Sequence, residues 1–204
     1  ESERSRIYKS MVELGVLMSS ASVLCGSEAT TAAFQQVIQD SSSQIFHFFG
    51  HSLFDAARVL NQGLVLYDGT FRLEDAFRLR LHGQHVTLLS CDSASQGISS
   101  GDEPLGLVTA LLCAGAGSVL GTIWPVPSEA GRFFSEAFYR NLRRACPVRR
   151  KEHVHSDAGA IQRTMIDLAN CAREAILDLR DNAVTRHPSE WASIVLHGSP
   201  IMIL

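Results

Sequence analysis

The amino-acid sequence predicts an α/β domain in which a sheet of buried strands carries helices on both faces. Short, nearly continuous apolar runs at 44–50, 86–90 and 118–123 alternate with segments whose apolar residues recur at helical spacing. Runs of that kind mark strands covered on both faces, as in parallel sheets. The 204 residues, 46% hydrophobic and 19% charged, are enough for one sizeable core and too few for two comfortable ones. Residues 1–204 therefore read as a single domain.

Residues 5–17 read as a short helix, and 21–25 as a brief apolar strand ending at the Gly26-Ser27 turn. Thr30 or Thr31 can cap a helix built on Ala33, Phe34, Val37 and Ile38, which stops at Ser41-Ser42-Ser43. The strand at 44–50 contains Phe46, Phe48 and Phe49, and His51 stands just past its end. Residues 64–67 followed by Asp68-Gly69 suggest a hairpin. A helix over 73–81 then leads to the strand at 86–90, and Cys91 stands just past that end. Beyond a polar loop from Ser93 to Asp102, a helix over 105–114 precedes the strand at 118–123. Helices over 128–144 and 157–180, separated by a polar stretch, and a last strand at 192–196 complete the chain.

A formal net charge of −3 gives no electrostatic reason to expect nucleic acid or an anionic membrane as a partner. No apolar run approaches the roughly 18 to 20 residues of a membrane span, so a soluble protein is expected. Five cysteines, an odd number without a pairing pattern or signal peptide, suggest thiols in a reducing, cytoplasmic compartment. A chain that starts at Glu1 and enters a helical pattern at once reads as part of something longer.

In an α/β sheet, reactive groups collect at the carboxyl ends of the strands, where His51 and Cys91 both fall. If the two strands are parallel neighbours, those ends lie about 5 Å apart. A thiolate attacks carbonyls efficiently, and a nearby imidazole can take the thiol proton and return it to a leaving amine. Spacing alone nevertheless favours a structural role for both residues, since buried cysteines and hydrogen-bonded histidines are common.

The local sequences reverse that preference. Ser27-Glu28-Ala29-Thr30, Ile45-Phe46-His47-Phe48-Phe49-Gly50-His51 and Leu88-Leu89-Ser90-Cys91-Asp92-Ser93 resemble, in order, segments of the CHAT family of caspase-related cysteine proteases. Ser90 and Ser93 fall where that family's nucleophile motif has alanine and threonine. Gly101-Asp102-Glu103, the segments at 111–116 and 119–126, and a closing strand from Trp191 to Leu196 follow in the family's order.

The resemblance implies a caspase-like three-layer α/β/α sandwich with a mixed, mainly parallel sheet. It also implies a cysteine endopeptidase with His51 as base and Cys91 as nucleophile, requiring no metal or organic cofactor. The backbone amides of Ser52 and Cys91 would form the oxyanion hole, a type of donor worth about 2.7 to 4 kcal/mol at the transition state. Ser52 stands in place of the family's usual glycine, and a backbone angle reserved for glycine would be costly there. Family modules begin further upstream, so the domain reads as incomplete at its N-terminus. They are often joined to helical-repeat regions that sense a partner, which makes such a region and a protein or peptide substrate the expected partners. The alternative is a catalytically silent interaction or signalling module of the same fold.

Several other residues invite functional readings. His47 shares strand parity with Phe49 and reads as a core histidine. His197-Gly198 follows an apolar strand, but the resemblance places it in the closing strand, away from the chemistry. Cys146, His153, His155 and Cys171 match no standard zinc spacing. Gly115, Gly117 and Gly121 follow a helix and enter a strand, the reverse of a phosphate-binding loop. The basic stretch 143–151 reads as a solvated loop. Asp92, Asp102 and Glu103 could favour a basic substrate residue, and Trp124 could wall a substrate channel.

Overall fold

A computed structural model of the chain describes residues 22–55, 57–97, 104–146 and 164–203. Helix α1 (Thr31–Ile38) is capped by the Thr30 side chain, which accepts from the Ala33 amide at 3.2 Å. Then follow strands β1 (Ile45–Phe49), β2 (His51–Leu53), β3 (Gly63–Val65) and β4 (Thr70–Arg72), helix α2 (Leu73–Phe77) and strand β5 (His85–Leu89). Helix α3 (Leu107–Cys113), strand β6 (Ser118–Thr122) and helix α4 (Ser128–Ala145) come next. The last elements are β7 (Met165–Asp167), α5 (Leu168–Asp181), α6 (Pro188–Trp191), β8 (Ile194–Gly198) and β9 (Ile201–Ile203).

The central sheet has the order β1-β5-β6-β8, with the first three strands parallel and β8 antiparallel to β6. Side chains alternate between its two faces. On one face Ile45, Phe49, Leu89 and Leu120 join the core under α4 and α5, around Phe134, Phe138 and Leu142. On the other, Phe46, Phe48, Val86, Leu88 and Val119 pack with Phe34 of α1, Leu73 and Ala76 of α2 and Leu107 and Leu111 of α3. The result is the mixed, mainly parallel sheet between two helical layers that the sequence predicts.

Several elements differ from expectation. Residues 22–25 form no strand, and Ala21 and the helix expected over 5–17 lie outside the described residues. Strand β1 is half-buried rather than fully covered, because among the described residues it is the margin of its sheet. The helix expected over 73–81 stops at Phe77, and the chain then ties Leu81 to the end of α3 through the Ala114 carbonyl at 2.8 Å. Of the helix expected over 157–180, residues 157–163 lie outside the described residues, 165–167 form a strand, and the helix runs over Leu168–Asp181, where Asp167 caps it by accepting from the Asn170 amide at 2.8 Å. Just before that cap, β7 pairs with β9, and neither strand is foreseen in the sequence.

Between β1 and β5 lies a second, smaller sheet, β2-β3-β4, all antiparallel. Its hairpin turn, closed by Leu66 N–H donating to Gly69 O at 2.8 Å, matches the one expected at Asp68-Gly69. Phe71 and Leu64 point from this sheet into the core, fixing it against α1 and α2.

Candidate functional site

Strands β1 and β5 run parallel in a register that pairs Phe49 with Leu89, and Gly50 N–H donates to Leu89 O at 3.3 Å. Two residues beyond each of these stand His51 and Cys91. At Gly50 the Phe48 ring lies across the exit from β1, where a Cβ would come within 2.8 Å of it. The chain turns at once into β2, so that His51, exposed, sits on the small sheet opposite Val65. His51 and Cys91 both line one pocket of about 60 Å³. Its other walls include Phe49, Thr122, Val126 and Gly131.

Ser52 joins the two loops directly, its hydroxyl donating to the carbonyl of Cys91. Its backbone follows from ladder alternation. Leu66 N–H bonds to Gly69 O, and Leu73 N–H bonds to Gln62 O at 2.8 Å, which makes 66/69 and 62/73 hydrogen-bonded pairs. Antiparallel pairs alternate, so Leu64 also spends its N–H and C=O on β4, and Val65 and Gly63 face β2. Ser52, opposite Leu64, therefore turns its own N–H away from β3. Among the described residues the one non-glycine with a positive φ is Asp92, so Ser52 occupies ordinary strand backbone without the angle a glycine would require.

The Cys91 turn is held from several directions. Ser93 N–H returns to Ser90 O at 3.2 Å, which leaves Cys91 and Asp92 at the corner, with Asp92 at φ 57°. Asp is among the few residues that tolerate this left-handed region. The fully buried Ser93 donates its hydroxyl to Leu88 O at 2.7 Å and accepts from Thr122 N–H at 3.1 Å. Thr122 in turn donates to Ser90 O at 2.6 Å, and Ala94 N–H donates to Thr122 O at 2.8 Å. Gly121 admits this packing, since a Cβ there would meet Ala94 Cβ at 3.0 Å and Ser93 Oγ at 3.1 Å. The hydroxyl at position 93 thus has a structural reason that the sequence motif alone does not disclose.

The remaining candidates are dispersed. Asp92 turns its carboxylate to the Ser95 hydroxyl at 3.1 Å, and its carbonyl accepts from Gln62. Trp124 is half-exposed, with its indole N–H donating to Ser189 O at 2.9 Å, and neither it nor Asp92 is among the residues that line the pocket. Asp102, Glu103, His153, His155 and Lys151 lie outside the described residues. Cys146 lies at the end of α4, and Cys171 is buried on α5, its thiol pushed up to about 11 by burial and by the nearby Asp167. Among the described residues no group of three or more ligating side chains could hold a metal ion, and no helix is long and apolar enough to cross a membrane. Gly115 and Gly117 lie between α3 and β6, a helix-to-strand turn.

His47 and His85 belong to a buried polar chain in the same sheet. His47 Nδ1 is 2.8 Å from the Tyr139 hydroxyl, which is also hydrogen-bonded to Thr87. Thr87 Oγ1 is 3.0 Å from His85 Nε2, and His85 Nδ1 is 2.8 Å from Ser118 Oγ. Burial lowers His47 to about 4. It lowers His85 to about 3, with a smaller contribution from the neighbouring His47. Tyr139 is raised by the same burial. His47 is thus a neutral core group, as its strand parity predicts. His197 lies in β8 opposite Val119, its pKa lowered by burial, and is not among the residues that line the pocket.

Two curated proteins resemble the chain. Tetratricopeptide repeat protein 28 of Mus musculus is 30% identical over 129 residues, and that of Homo sapiens 27% identical over the same length. Each match covers 63% of this chain and 4% of the relative, so the chain spans only a small part of the length of the relatives it matches. The family model described as CHAT domain matches residues 6–199, nearly the whole sequence, and takes in both strand ends and the small sheet between them; the chain belongs to the CHAT domain family.

Proposed function

We propose that the chain is a cysteine endopeptidase in which Cys91 and His51 act as a dyad. The observation that carries this reading is the convergence of the two residues on one pocket, at the ends of adjacent parallel strands, with Ser52 bound to the Cys91 carbonyl. The Cys91 sulfur attacks the scissile carbonyl as His51 takes the thiol proton, and the tetrahedral oxyanion is met by the amides of Ser52 and Cys91. His51 then protonates the leaving amine, and water, activated by the same imidazole, releases the acyl group from sulfur. The Ser52 amide, free of the β2-β3 ladder, and the firmly held Cys91 turn provide donors that need little reorganisation.

By likeness to the tetratricopeptide repeat proteins, the longer protein would carry a helical-repeat region that presents or gates the substrate. A second reading, a silent interaction module, is favoured by Leu53 and Val65, exposed apolar residues on the same face of the small sheet as His51. Iodoacetamide labelling separates the two. The endopeptidase reading expects Cys91 to be alkylated faster than Cys25 and Cys113, with the advantage removed by His51→Ala. It also expects Cys91→Ser to lower cleavage of a peptide library at least about 10³-fold. Equal alkylation rates, with or without His51, would leave the interaction module standing.

A further inference from the structure

We propose that Gln62 is a positioning residue that locks the Cys91 turn to the strand system carrying His51; the proposal rests on the dyad reading above. Gln62 is completely buried, an unusual place for a side-chain amide, and every polar atom of that amide is used. Its Nε2 donates to Asp92 O at 3.3 Å and to Ser95 O at 3.0 Å, while its Oε1 accepts from Leu107 N–H at 2.9 Å. Two carbonyls on one side and an N–H on the other fix which end of the amide is which.

These partners are the two feet of the loop that follows the nucleophile. Asp92 and Ser95 belong to its outgoing limb and Leu107 to its return, where α3 begins. Between them, Gly97 and Leu105 form a two-way backbone bridge of 2.8 and 2.9 Å that closes the loop at its neck. Gly106 packs against the clamp, since a Cβ there would lie 3.1 Å from Gln62 Oε1.

The backbone of Gln62 belongs to the other half of the site. Its carbonyl accepts from Leu73 N–H at 2.8 Å, extending the β3-β4 ladder, and the next residue, Gly63, pairs with Leu53 of β2. One residue therefore joins the sheet that bears His51 to the turn that bears Cys91. The Ser52 hydroxyl makes a second tie between the same parts, at the carbonyl of Cys91 itself. Such supporting contacts hold reacting groups in productive geometry without touching the substrate.

The test uses two variants of the intact protein and the iodoacetamide rate of each cysteine, resolved by mass spectrometry across pH. Gln62→Met keeps the shape and removes all three hydrogen bonds. It should slow Cys91 about tenfold, with Cys25 and Cys113 reacting at their natural rates. Gln62→Glu keeps the acceptor for Leu107 but sets a carboxylate against two carbonyls. Its Cys91 rate, divided by that of the natural chain at the same pH, should rise as the pH falls from about 8 to about 5.5, when the buried carboxyl takes up a proton and can again donate.

A folded Gln62→Met chain with the natural Cys91 rate would overturn the proposal. If that variant does not fold, a ratio for Gln62→Glu that stays flat with pH would overturn it. His51→Ala is measured alongside. If it slows Cys91 and the Gln62 variants do not, the clamp alone falls. If it leaves Cys91 unchanged, the dyad reading fails and the role of Gln62 fails with it.

Discussion

Three residues separate His47 from His51, and their surroundings could hardly differ more. In the middle of β1, His47 has its ring against Tyr139 and belongs to a chain of buried groups running across β5 to Ser118. Two residues past the end of β1, His51 lies exposed in the lining of the pocket that Cys91 shares. In the interior, loss of solvent stabilises the neutral imidazole. Past the strand end, the ring of His51 is exposed to solvent. Residue type therefore says little about the surroundings of a histidine in this chain, whereas its place, inside β1 or past its end, says a great deal.

Substitution separates the two places most sharply. His51→Ala should lower peptide cleavage by about 10² to 10⁴-fold while leaving the urea midpoint nearly unchanged. His47→Ala should do the reverse, unfolding at lower urea while the folded fraction retains its alkylation rate at Cys91. A loss of stability in the first variant, or of Cys91 reactivity in the second, would break the division.

The next largest effect is on pH dependence. Both core histidines have folded values depressed below the ordinary 6.5, so the unfolded chain binds more protons than the folded one beneath that pH. Their neutral burial is fully tolerated above about 6.5, and stability should fall as the pH drops from there towards 4. At pH 5 each contributes a loss of about 2 kcal/mol. Urea titrations at pH 7.5 and 5 should therefore differ by about 4 kcal/mol. A flat profile would mean that the buried chain opens to water.

Removing one link of that chain is a smaller perturbation. Tyr139→Phe deletes the hydroxyl that meets His47 Nδ1 and Thr87, and should cost about 1 to 3 kcal/mol in denaturant titration with no change in the Cys91 alkylation rate. Smallest of all is the corner at Asp92. Asp92→Val places a β-branched residue at φ 57° and should cost about 1 to 2 kcal/mol, whereas Asp92→Gly should stay within about 0.5 kcal/mol of the natural chain. Equal costs would show that the Ser95 contact, not the backbone, governs position 92.

The sequence discloses this protein unevenly. Strands β1, β5 and β6 are legible because their apolar runs are continuous, and the positions of His51 and Cys91 follow from where those runs end. Strands β2, β7 and β9 have only three residues each, too few for a period to emerge, and the two-stranded β7-β9 pair joins residues far apart in the chain. The cap at Asp167 was visible as a residue type but hidden within a longer stretch of helical spacing. Gln62 carries no local signal at all. Its partners lie 30, 33 and 45 positions away, so its role arises only once the chain has folded.

The Gly97-Leu105 bridge gives the fold a natural insertion port. Because its two limbs are already stapled at the base, extra chain added between those residues would hang outside the staple and exert little torque on the Cys91 turn. Relatives could diverge in length at that point, and an engineer could graft a tag there, while the Cys91 corner kept its shape.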